Sequence, residues 1–406
     1  MDRLPSELFS PPMEESPAEL DLRGVLRPAW AVVDLDALDA NIDLVRRRIG
    51  PASLLAVIKA DAYGHGAIEV ARRLEARKVD WLGVALIEEG AELRRAGITL
   101  PILVLGTAQE EQLPLYRRYR LTATVSSPSQ MRLWLAYARG LESPQPVHVK
   151  VDTGMGRLGF SLQQAREALR ELASAPGLRL SGLLSHLASA DELESESNRA
   201  QEHAFNELVA DLSAEERRGL LVHLANSAAA LNHPWSRHSL VRVGLALLGL
   251  DPARSESGLR PILSVESRIV QTRRVPPGTR LGYGGLWTAE RESVVGVVPI
   301  GYADGYTWRL TNRAQALVRG RRVAVIGAVS MDMTMLDLTD VEGETGDEVT
   351  LLGAQGEERI DAWELAESAG TIPYEILCAL GLRLPRRYVA GGSDRAIDSR
   401  FRSRVP

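Results

Sequence analysis

The chain has 406 residues, of which 45% are hydrophobic and 25% charged, and its net charge is −5. This length exceeds a single ordinary hydrophobic core, so two domains are expected. The composition is that of a globular protein, and the negative balance gives no reason to expect nucleic acid or an anionic membrane as a partner. The single cysteine, Cys378, excludes an internal disulfide and fits a reducing, cytoplasmic compartment.

The N-terminal segment, residues 1–27, holds four prolines and six acids against three bases. Such a composition with weak periodicity predicts a disordered or loosely packed tail. It has no apolar stretch behind a basic start, so a secretory signal is not expected. The chain also lacks an uncharged apolar run of about 18 residues, which disfavours a membrane span.

Short apolar runs alternate with amphipathic segments between residues 50 and 250. The predicted strands are Leu54–Lys59, Trp81–Leu86, Ile102–Leu105, Leu121–Val125, Val147–Val151, Leu178–Ser185, Leu221–Ala225 and Leu240–Val243. The predicted helices include Glu88–Ala96, Ser129–Ala138, Gln163–Ala173 and Asn198–Leu212. Eight strand–helix units are typical of an α/β fold of the (β/α)₈ TIM-barrel type, here predicted over residues 28–250.

One extra apolar run, residues 30–35, precedes these eight. It leads into a helix with Leu38, Ile42, Val45 and Ile49 on one face and Asp36 as the predicted N-cap. We place this run outside the barrel and expect it to pair with the second domain.

The segment 251–258 has the composition of a linker. Beyond it, apolar runs separated by Pro and Gly turns predict a mostly-β domain over residues 259–392, followed by a tail at 393–406. Its predicted strands are Ile262–Val275, Val294–Ile300, Gln315–Val318, Arg322–Ile326, Thr334–Asp337 and Glu348–Leu352. Its predicted helices are Ala362–Ser368 and Tyr374–Leu380.

Lys59 is the most informative residue, because it follows the apolar run 54–58 and opens a Gly-rich segment that carries a carboxylate, a phenol and an imidazole. A lysine at the rim of a core is partly desolvated, which favours its neutral, nucleophilic form. Such an amine suits Schiff-base chemistry. The alternative is a lysine that ends a strand and extends its amine to water.

Polar residues follow five of the eight predicted barrel strands. They are Lys59, Lys150, His186, the pair Asn226 and Ser227, and Arg242. Because active sites of this barrel lie at the C-terminal ends of its strands, we expect these side chains to share one site. Segments 226–229 and 242–246 also resemble helix starts that hold a phosphate, although ordinary capping by Ser227 is the alternative.

The segment 154–159 matches the dinucleotide fingerprint Gly-x-Gly-x-x-Gly. That fingerprint also requires an acid at the end of the next strand, where this chain has His186, with Asp191 the nearest acid beyond it. Arg157 lies inside the turn that should approach a pyrophosphate. A nicotinamide or flavin enzyme is therefore disfavoured. The seven histidines show no His-Glu-x-x-His spacing, so no metal site is predicted.

Several segments, in order along the chain, resemble the alanine racemase family. Residues 56–66 resemble its pyridoxal-phosphate attachment signature, and residues 149–159 resemble a second hallmark. Further matches are residues 223–227, 242–244, 301–306 and 331–332. Because long motifs in a fixed order are specific, the resemblance favours the Schiff-base interpretation of Lys59.

The resemblance implies pyridoxal 5'-phosphate as cofactor and a homodimer with shared active sites. Lys59 would bind the cofactor and act as one catalytic base, and Tyr283 from the other subunit would be the second. The residues implied in holding the cofactor are Lys59, Tyr63, Arg157, His186, Asn226, Ser227, Arg242, Gly244, Leu245 and Tyr374. Those implied for the substrate are Arg157, Met331 and Tyr302, supported by Asp332 and by Lys150, which many members carry as a carbamate.

The implied reaction is the interconversion of L-alanine and D-alanine, which supplies D-alanine for peptidoglycan. Moving a proton from one face of the α-carbon to the other suits two bases on opposite faces, Lys59 and Tyr283. Arg242 would face the pyridine nitrogen. Because arginine does not readily yield its proton, that nitrogen would stay unprotonated, which disfavours side reactions such as transamination.

The same barrel is also compatible with other functions. A racemase of broader specificity, acting on serine, lysine or arginine, would differ in pocket shape, and Leu248 stands where family members often have a tyrosine. A pyridoxal-phosphate decarboxylase would need a different residue from the second subunit than Tyr283. A non-catalytic cofactor carrier would lack the second domain.

Overall fold

The computed structural model describes residues 27–255, 257–391 and 393–398. The predicted N-terminal tail lies outside these ranges except for Arg27. The first elements of the described chain are strand β1 (Ala29–Asp34) and helix α1 (Leu35–Ile49).

The N-cap of α1 is Asp34, so the predicted cap at Asp36 is wrong by two residues. The Asp34 carboxylate accepts hydrogen bonds from the N–H groups of Asp36 and Ala37, both at 2.9 Å. Asp34 has the extended backbone that a capping residue needs, whereas Asp36 already belongs to the first turn. The predicted apolar face of the helix is buried.

Eight parallel strands form the barrel. They are β2 (Ser53–Val57), β3 (Trp81–Val84), β4 (Ile102–Val104), β5 (Ala123–Val125), β6 (Gln145–Lys150), β7 (Leu178–Leu184), β8 (Leu221–His223) and β9 (Leu240–Val243). Each lies within two residues of its predicted bounds. The runs form strands because short, largely apolar segments can be buried on both faces of a parallel sheet.

The barrel closes through both regular pairing and single bridges. Pairing runs in parallel from β2 to β4 and from β5 to β8, and β9 pairs with β2. A bridge between Leu103 and Thr122 joins β4 to β5. On the other side, Arg242 N–H donates to the Ala225 carbonyl at 3.0 Å, just beyond β8.

Helices and one unusual turn connect these strands. The turn is α2 (Lys59–Gly64), and the helices are α3 (Ala67–Ala76), α4 (Ile87–Arg95), α5 (Leu113–Arg118), α6 (Pro128–Ala138), α7 (Leu162–Ser174), α8 (Glu196–Ala210), α9 (Ala214–Arg217) and α10 (Ser227–Asn232). Local chemistry sets several starts: Ser127 and Ser161 cap α6 and α7 by accepting N–H groups three residues on.

The second domain is built from strands β10 to β21. They are β10 (Leu263–Arg268), β11 (Gln271–Val275), β12 (Arg280–Leu281), β13 (Trp287–Thr288), β14 (Ser293–Val298), β15 (Gln315–Val318), β16 (Arg321–Ile326), β17 (Thr334–Asp337), β18 (Glu348–Gln355), β19 (Glu358–Ile360), β20 (Arg386–Ala390) and β21 (Ser393–Asp398). Its helices are α11 (Ala362–Ala369) and α12 (Pro373–Ala379). The predicted α/β barrel followed by a mostly-β domain is confirmed.

The single strand predicted over 262–275 is wrong, because the structure divides it into β10 and β11. β10 pairs with β18, whereas β11 pairs with β14. At the break, Ile269 N–H donates to Asp347 O and Val270 N–H to Val297 O. The chain therefore exchanges one partner strand for another at this point, which a continuous apolar run does not reveal.

Strand β1 joins the second domain, as predicted. It pairs antiparallel with β10 and parallel with β20. From β1 onward, the described chain thus leads from the second domain's sheet through the barrel and back to that sheet. The sheet extends to Asp398, so part of the segment predicted as a C-terminal tail is strand β21. Residues 399–406 lie outside the described ranges.

Candidate active site

The predicted site residues at the strand ends meet in one cavity of about 480 Å³ at the mouth of the barrel. Those that line it are Lys59, Tyr63, Lys150, Arg157, His186, Asn226, Ser227, Arg242, Gly244, Leu245 and Tyr374. Ten come from the barrel and its loops, and Tyr374 comes from α12 of the second domain. A second cavity, of about 500 Å³ beside the linker, is lined by none of the predicted site residues.

Lys59 lies at the cavity between the end of β2 and a left-handed turn. The four residues Ala60–Tyr63 all have φ between 52° and 55°. A left-handed conformation costs about 1–2 kcal/mol for each non-glycine residue, so a run of four needs support from its surroundings. Part of that support is the carboxylate of Glu89 on α4, which accepts the Ala60 N–H at 2.7 Å.

A cradle of backbone and hydroxyl groups lies beside this turn. The Ser227 hydroxyl accepts the Gly244 N–H at 2.9 Å. Glycine at position 244 lets the backbone approach Tyr63 closely, because a Cβ there would lie 2.8 Å from the Tyr63 hydroxyl and displace it. Burial raises the pKa of Tyr63, so its phenol is a neutral hydrogen-bond donor at neutral pH.

Arg242 is a buried part of the cavity wall and is held by backbone carbonyls. It donates to His223 O at 2.9 Å, Ser185 O at 2.7 Å and Leu224 O at 2.9 Å. Burial lowers the pKa of Arg242 to about 10, which still leaves the guanidinium charged at neutral pH.

Three histidines are linked to Arg242 by hydrogen bonds, two of them directly and the third through another histidine. His186 Nδ1 and His223 Nδ1 each lie 3.1 Å from a guanidinium nitrogen. Because arginine can only donate, both Nδ1 atoms accept, and each ring carries its proton on Nε2. His223 Nε2 then donates to His148 Nδ1 at 3.0 Å. Burial, followed by the charge of Arg242, lowers the pKa of His148 and of His186 to about 3, so these rings stay neutral.

The cavity carries a concentration of positive charge. Burial, and then the charges of Arg242 and Arg157, lower the pKa of Lys150 to about 8. Lys59 adds a further cation to the same wall. Four basic side chains around one cavity, with a hydroxyl and glycine cradle beside them, fit an anionic ligand that carries a phosphate. This donor set fits pyridoxal 5'-phosphate.

Four predicted site residues lie outside the cavity lining. Tyr283, Tyr302 and Met331 are exposed, with 78%, 44% and 51% of their surfaces accessible, on loops of the second domain. Asp332 is exposed and pairs with Arg383 at 2.6 Å. A single subunit therefore does not bring Tyr283 to the cavity wall that holds Lys59.

The dinucleotide interpretation of residues 154–159 conflicts with the geometry. The carboxylate of Asp152 accepts hydrogen bonds from the N–H groups of Gly154, Met155 and Gly156, at 2.8 to 3.1 Å. These amides are thus engaged within the loop. The glycine-rich part of the loop is therefore held by Asp152, and Arg157, which follows it, lines the cavity.

Two residues that support the site, His148 and Gln201, were not predicted from the sequence. His148 lies two residues before Lys150 on β6, so the alternation of a strand places both on the inner face. That signal was available from the sequence. Gln201 on α8 was not signalled: it donates to His186 O at 3.0 Å and accepts the Ala188 N–H at 2.9 Å, which fixes the loop after β7.

Within residues 27–255, 257–391 and 393–398, no three His, Cys, Asp or Glu side chains are grouped so that they could bind a metal ion. No helix in the described part of the chain combines the length and the apolar character needed to cross a bilayer.

Two family models together match most of the chain. Alanine racemase, N-terminal domain, matches residues 33–252, and alanine racemase, C-terminal domain, matches residues 262–388. An alanine racemase from Geobacter sulfurreducens is 43% identical over 372 residues, covering 89% of this chain and 97% of the relative. One from Nostoc sp. is 42% identical over 369 residues, covering 88% and 95%.

Solved structures agree. An alanine racemase from Clostridium difficile 630 superposes with a TM-score of 0.86 at 35% identity, covering 92% of this chain and 99% of that one. A second, from Bartonella henselae, has a TM-score of 0.82 at 28% identity, covering 90% and 100%, and its structure contains covalently bound pyridoxal phosphate. With matches of this length and identity to both domains, the chain belongs to the alanine racemase family of isomerases.

Proposed function

We propose that the protein interconverts L-alanine and D-alanine, with pyridoxal 5'-phosphate bound at the mouth of the barrel. The observation that carries the proposal is the position of Lys59, which a left-handed turn places in a cationic cavity beside the Ser227 and Gly244 cradle. The relatives that match both domains are alanine racemases. We further propose that the product supplies D-alanine for peptidoglycan.

The cavity offers a group for each part of the cofactor. Tyr63, Ser227, Tyr374 and the backbone of Gly244 and Leu245 would hold the phosphate, with Asn226 capping the adjoining helix α10 through the Ala229 N–H. Arg242 would face the ring nitrogen and His186 the ring. When bound, pyridoxal phosphate supplies an electron sink for the negative charge that develops at the α-carbon.

Two groups would move the proton. Lys59, held at the cavity wall, would exchange a proton on one face of the α-carbon. The partner subunit's Tyr283 would exchange it on the other, because racemisation needs bases on opposite faces. Arg242 keeps its proton at neutral pH, and its guanidinium donates hydrogen bonds to three backbone carbonyls. It would therefore not protonate the ring nitrogen.

The substrate carboxylate would be bound from both subunits. Arg157 presents a guanidinium at the cavity. The backbone N–H of Met331 donates to no group among the described residues, which leaves it free for an anion from the neighbouring site. Tyr302 lies next to it, since Ala303 N–H donates to Met331 O at 3.1 Å and Tyr302 N–H to Ser330 O at 3.0 Å.

The exposed loops of the second domain support a homodimer. Large apolar side chains are exposed there at Tyr283, Leu286, Trp308, Met331 and Met333. These loops are tied to one another: Asn312 donates to Leu286 O at 2.9 Å and accepts the Gly327 N–H at 2.6 Å. Apolar groups gathered in this way are typical of a protein interface.

The first experiment measures racemisation and cofactor binding in the purified protein. Visible absorbance from bound pyridoxal phosphate and formation of D-alanine from L-alanine are expected, and both should be lost in Lys59→Ala. A Lys59→Ala variant that kept its colour and full activity would overturn the proposal. Turnover of serine, lysine or arginine at a rate similar to alanine would favour the broader racemase.

Subunit sharing has a separate test. Lys59→Ala and Tyr283→Phe are each expected to be nearly inactive, but mixing them should restore about a quarter of wild-type activity, because half the dimers are mixed and each then has one intact site. If Tyr283 acted within its own subunit, mixing would restore nothing. Mixing wild-type protein with Lys59→Ala gives the reference for subunit exchange.

A further inference from the structure

The second domain is hydrogen-bonded to α2, the segment that contains Lys59 and Tyr63. The turn ends at Gly64, whose carbonyl accepts two hydrogen bonds from Arg386 on β20, at 3.1 Å from Nε and 2.8 Å from an Nη atom. Arg386 is 4% exposed and lies 322 residues further along the chain. A buried side chain of the second domain thus contacts the end of the turn that shapes the barrel's cavity.

The same guanidinium holds the end of helix α12. It donates to the carbonyls of Leu380 at 2.7 Å, Gly381 at 2.6 Å and Leu384 at 2.8 Å. Helix α12 carries Tyr374, which lines the same cavity as Tyr63. With the two bonds to Gly64, Arg386 donates five N–H···O hydrogen bonds to backbone carbonyls of the described residues, and an arginine side chain has five N–H donors.

Close packing leaves little room for the turn to move relative to α12. A Cβ at Gly64 would lie 2.3 Å from the Leu377 carbonyl of α12, and a Cβ at Gly66 would lie 1.8 Å from the Tyr388 hydroxyl. That hydroxyl also donates to His65 O at 3.1 Å. The turn and the helix are therefore in direct contact, with Arg386 spanning both.

We propose that Arg386 is a positioning residue that fixes the spacing between Tyr63 and Tyr374, the two phenols that would bind the cofactor phosphate. This inference rests on the proposed function, since it concerns the same site. Its specific consequence is that Arg386 acts on the phosphate end of the ligand. Lysine cannot replace it, because an ammonium has three donors and would leave at least two of the five contacts unmade.

The test compares two ligands that differ only in the phosphate. Full-length wild-type and Arg386→Lys proteins, freed of cofactor, are titrated with pyridoxal 5'-phosphate and with pyridoxal. We expect Arg386→Lys to bind pyridoxal 5'-phosphate about tenfold more weakly, while its affinity for pyridoxal changes less than about twofold. Equal weakening of both ligands, or no weakening, would overturn the inference.

A second variant keeps the test decisive if Arg386→Lys does not fold. Tyr388→Phe removes one hydroxyl and its bond to His65 O, and should cause a smaller loss, about threefold, again confined to pyridoxal 5'-phosphate. If Tyr388→Phe affects both ligands alike, the inference fails. The matched control is Arg322→Gln on the same domain, where the arginine pairs with Glu358 and Glu364 at the surface and should alter neither affinity.

The wild-type titration separates the two proposals. If the wild-type protein binds neither ligand, the proposed function fails and this inference falls with it. If the wild type binds pyridoxal 5'-phosphate and Arg386→Lys binds it equally well, only the role of Arg386 is overturned.

Discussion

At the scale of single residues, the site places several basic side chains close together around one cavity. Lys150 is buried on β6 and faces Arg242, Arg157 and Lys59. Removing a lysine from water and placing cations around it both disfavour its charged form, which accounts for a pKa of about 8. A substantial fraction of the amine is therefore neutral at mildly alkaline pH, and a neutral amine can react with carbon dioxide.

We expect Lys150 to form a carbamate, because this replaces a cation beside Arg157 with an anion that attracts it. In the reaction the amine nitrogen bonds to the carbon of carbon dioxide and releases a proton. Protein prepared with ¹³C-labelled bicarbonate should show one carbamate resonance by NMR, absent in Lys150→Met. The same spectrum in Lys150→Met and the wild type would contradict the assignment.

At the scale of elements, the left-handed turn depends on Glu89. One oxygen of its carboxylate accepts the Ala60 N–H, and the other accepts the N–H groups of Ala85 and Leu86, at 2.7 to 3.0 Å. The side chain thus joins the turn after β2 to the loop after β3. Because four consecutive non-glycine residues in this conformation are unfavourable, the turn persists only where such contacts hold it.

Glu89→Ala should therefore lower the free energy of unfolding by about 2 kcal/mol, since three N–H groups lose their acceptor. Racemase activity should fall about tenfold or more, because Lys59 is displaced. Urea unfolding and steady-state kinetics measure the two effects. The neighbouring exposed residue provides the control, Glu88→Gln, which should behave as wild type. A Glu89→Ala variant with wild-type turnover would show that the turn holds its shape alone.

At the scale of the whole molecule, the fold places neutral histidines in both the barrel core and the interface between domains. Burial is the main cause that lowers the pKa of His65 to about 4, of His148 and His186 to about 3, and of His223 well below its usual value. In the unfolded chain these groups titrate near 6.5. Between pH 6.5 and about 4 the unfolded state therefore binds more protons than the folded state.

The sign of the pH effect follows from that difference. Stability rises with pH wherever the unfolded state holds more protons, so it should be lost as pH falls from 6.5 toward 4, at up to about 1.4 kcal/mol per pH unit for each histidine. Urea unfolding across this range, at constant ionic strength and cofactor content, measures the slope. His148→Asn should make the slope shallower by about one proton. An unchanged slope in that variant would mean that His148 is protonated in the folded protein.

The sequence alone determined the features that depend on neighbouring residues. The eight barrel strands, the strands β14 to β18 of the second domain and the motif around Lys59 follow from local periodicity and from residues close together in the chain. The cavity itself was predictable in outline, because parallel strands bring their C-terminal ends to one edge. The resemblance then supplied roles for Tyr63, Ser227 and Tyr374, and the geometry gathers them in one place.

The tertiary structure decided what depends on distant contacts. The division of residues 262–275 into two strands follows from a change of partner between β18 and β14. The left-handed turn at Ala60–Tyr63 is stabilised by Glu89, and the Gly64 carbonyl by Arg386, 322 residues away. Local propensity disfavours such a turn, and only hydrogen bonds between segments that folding brings together make it the stable arrangement.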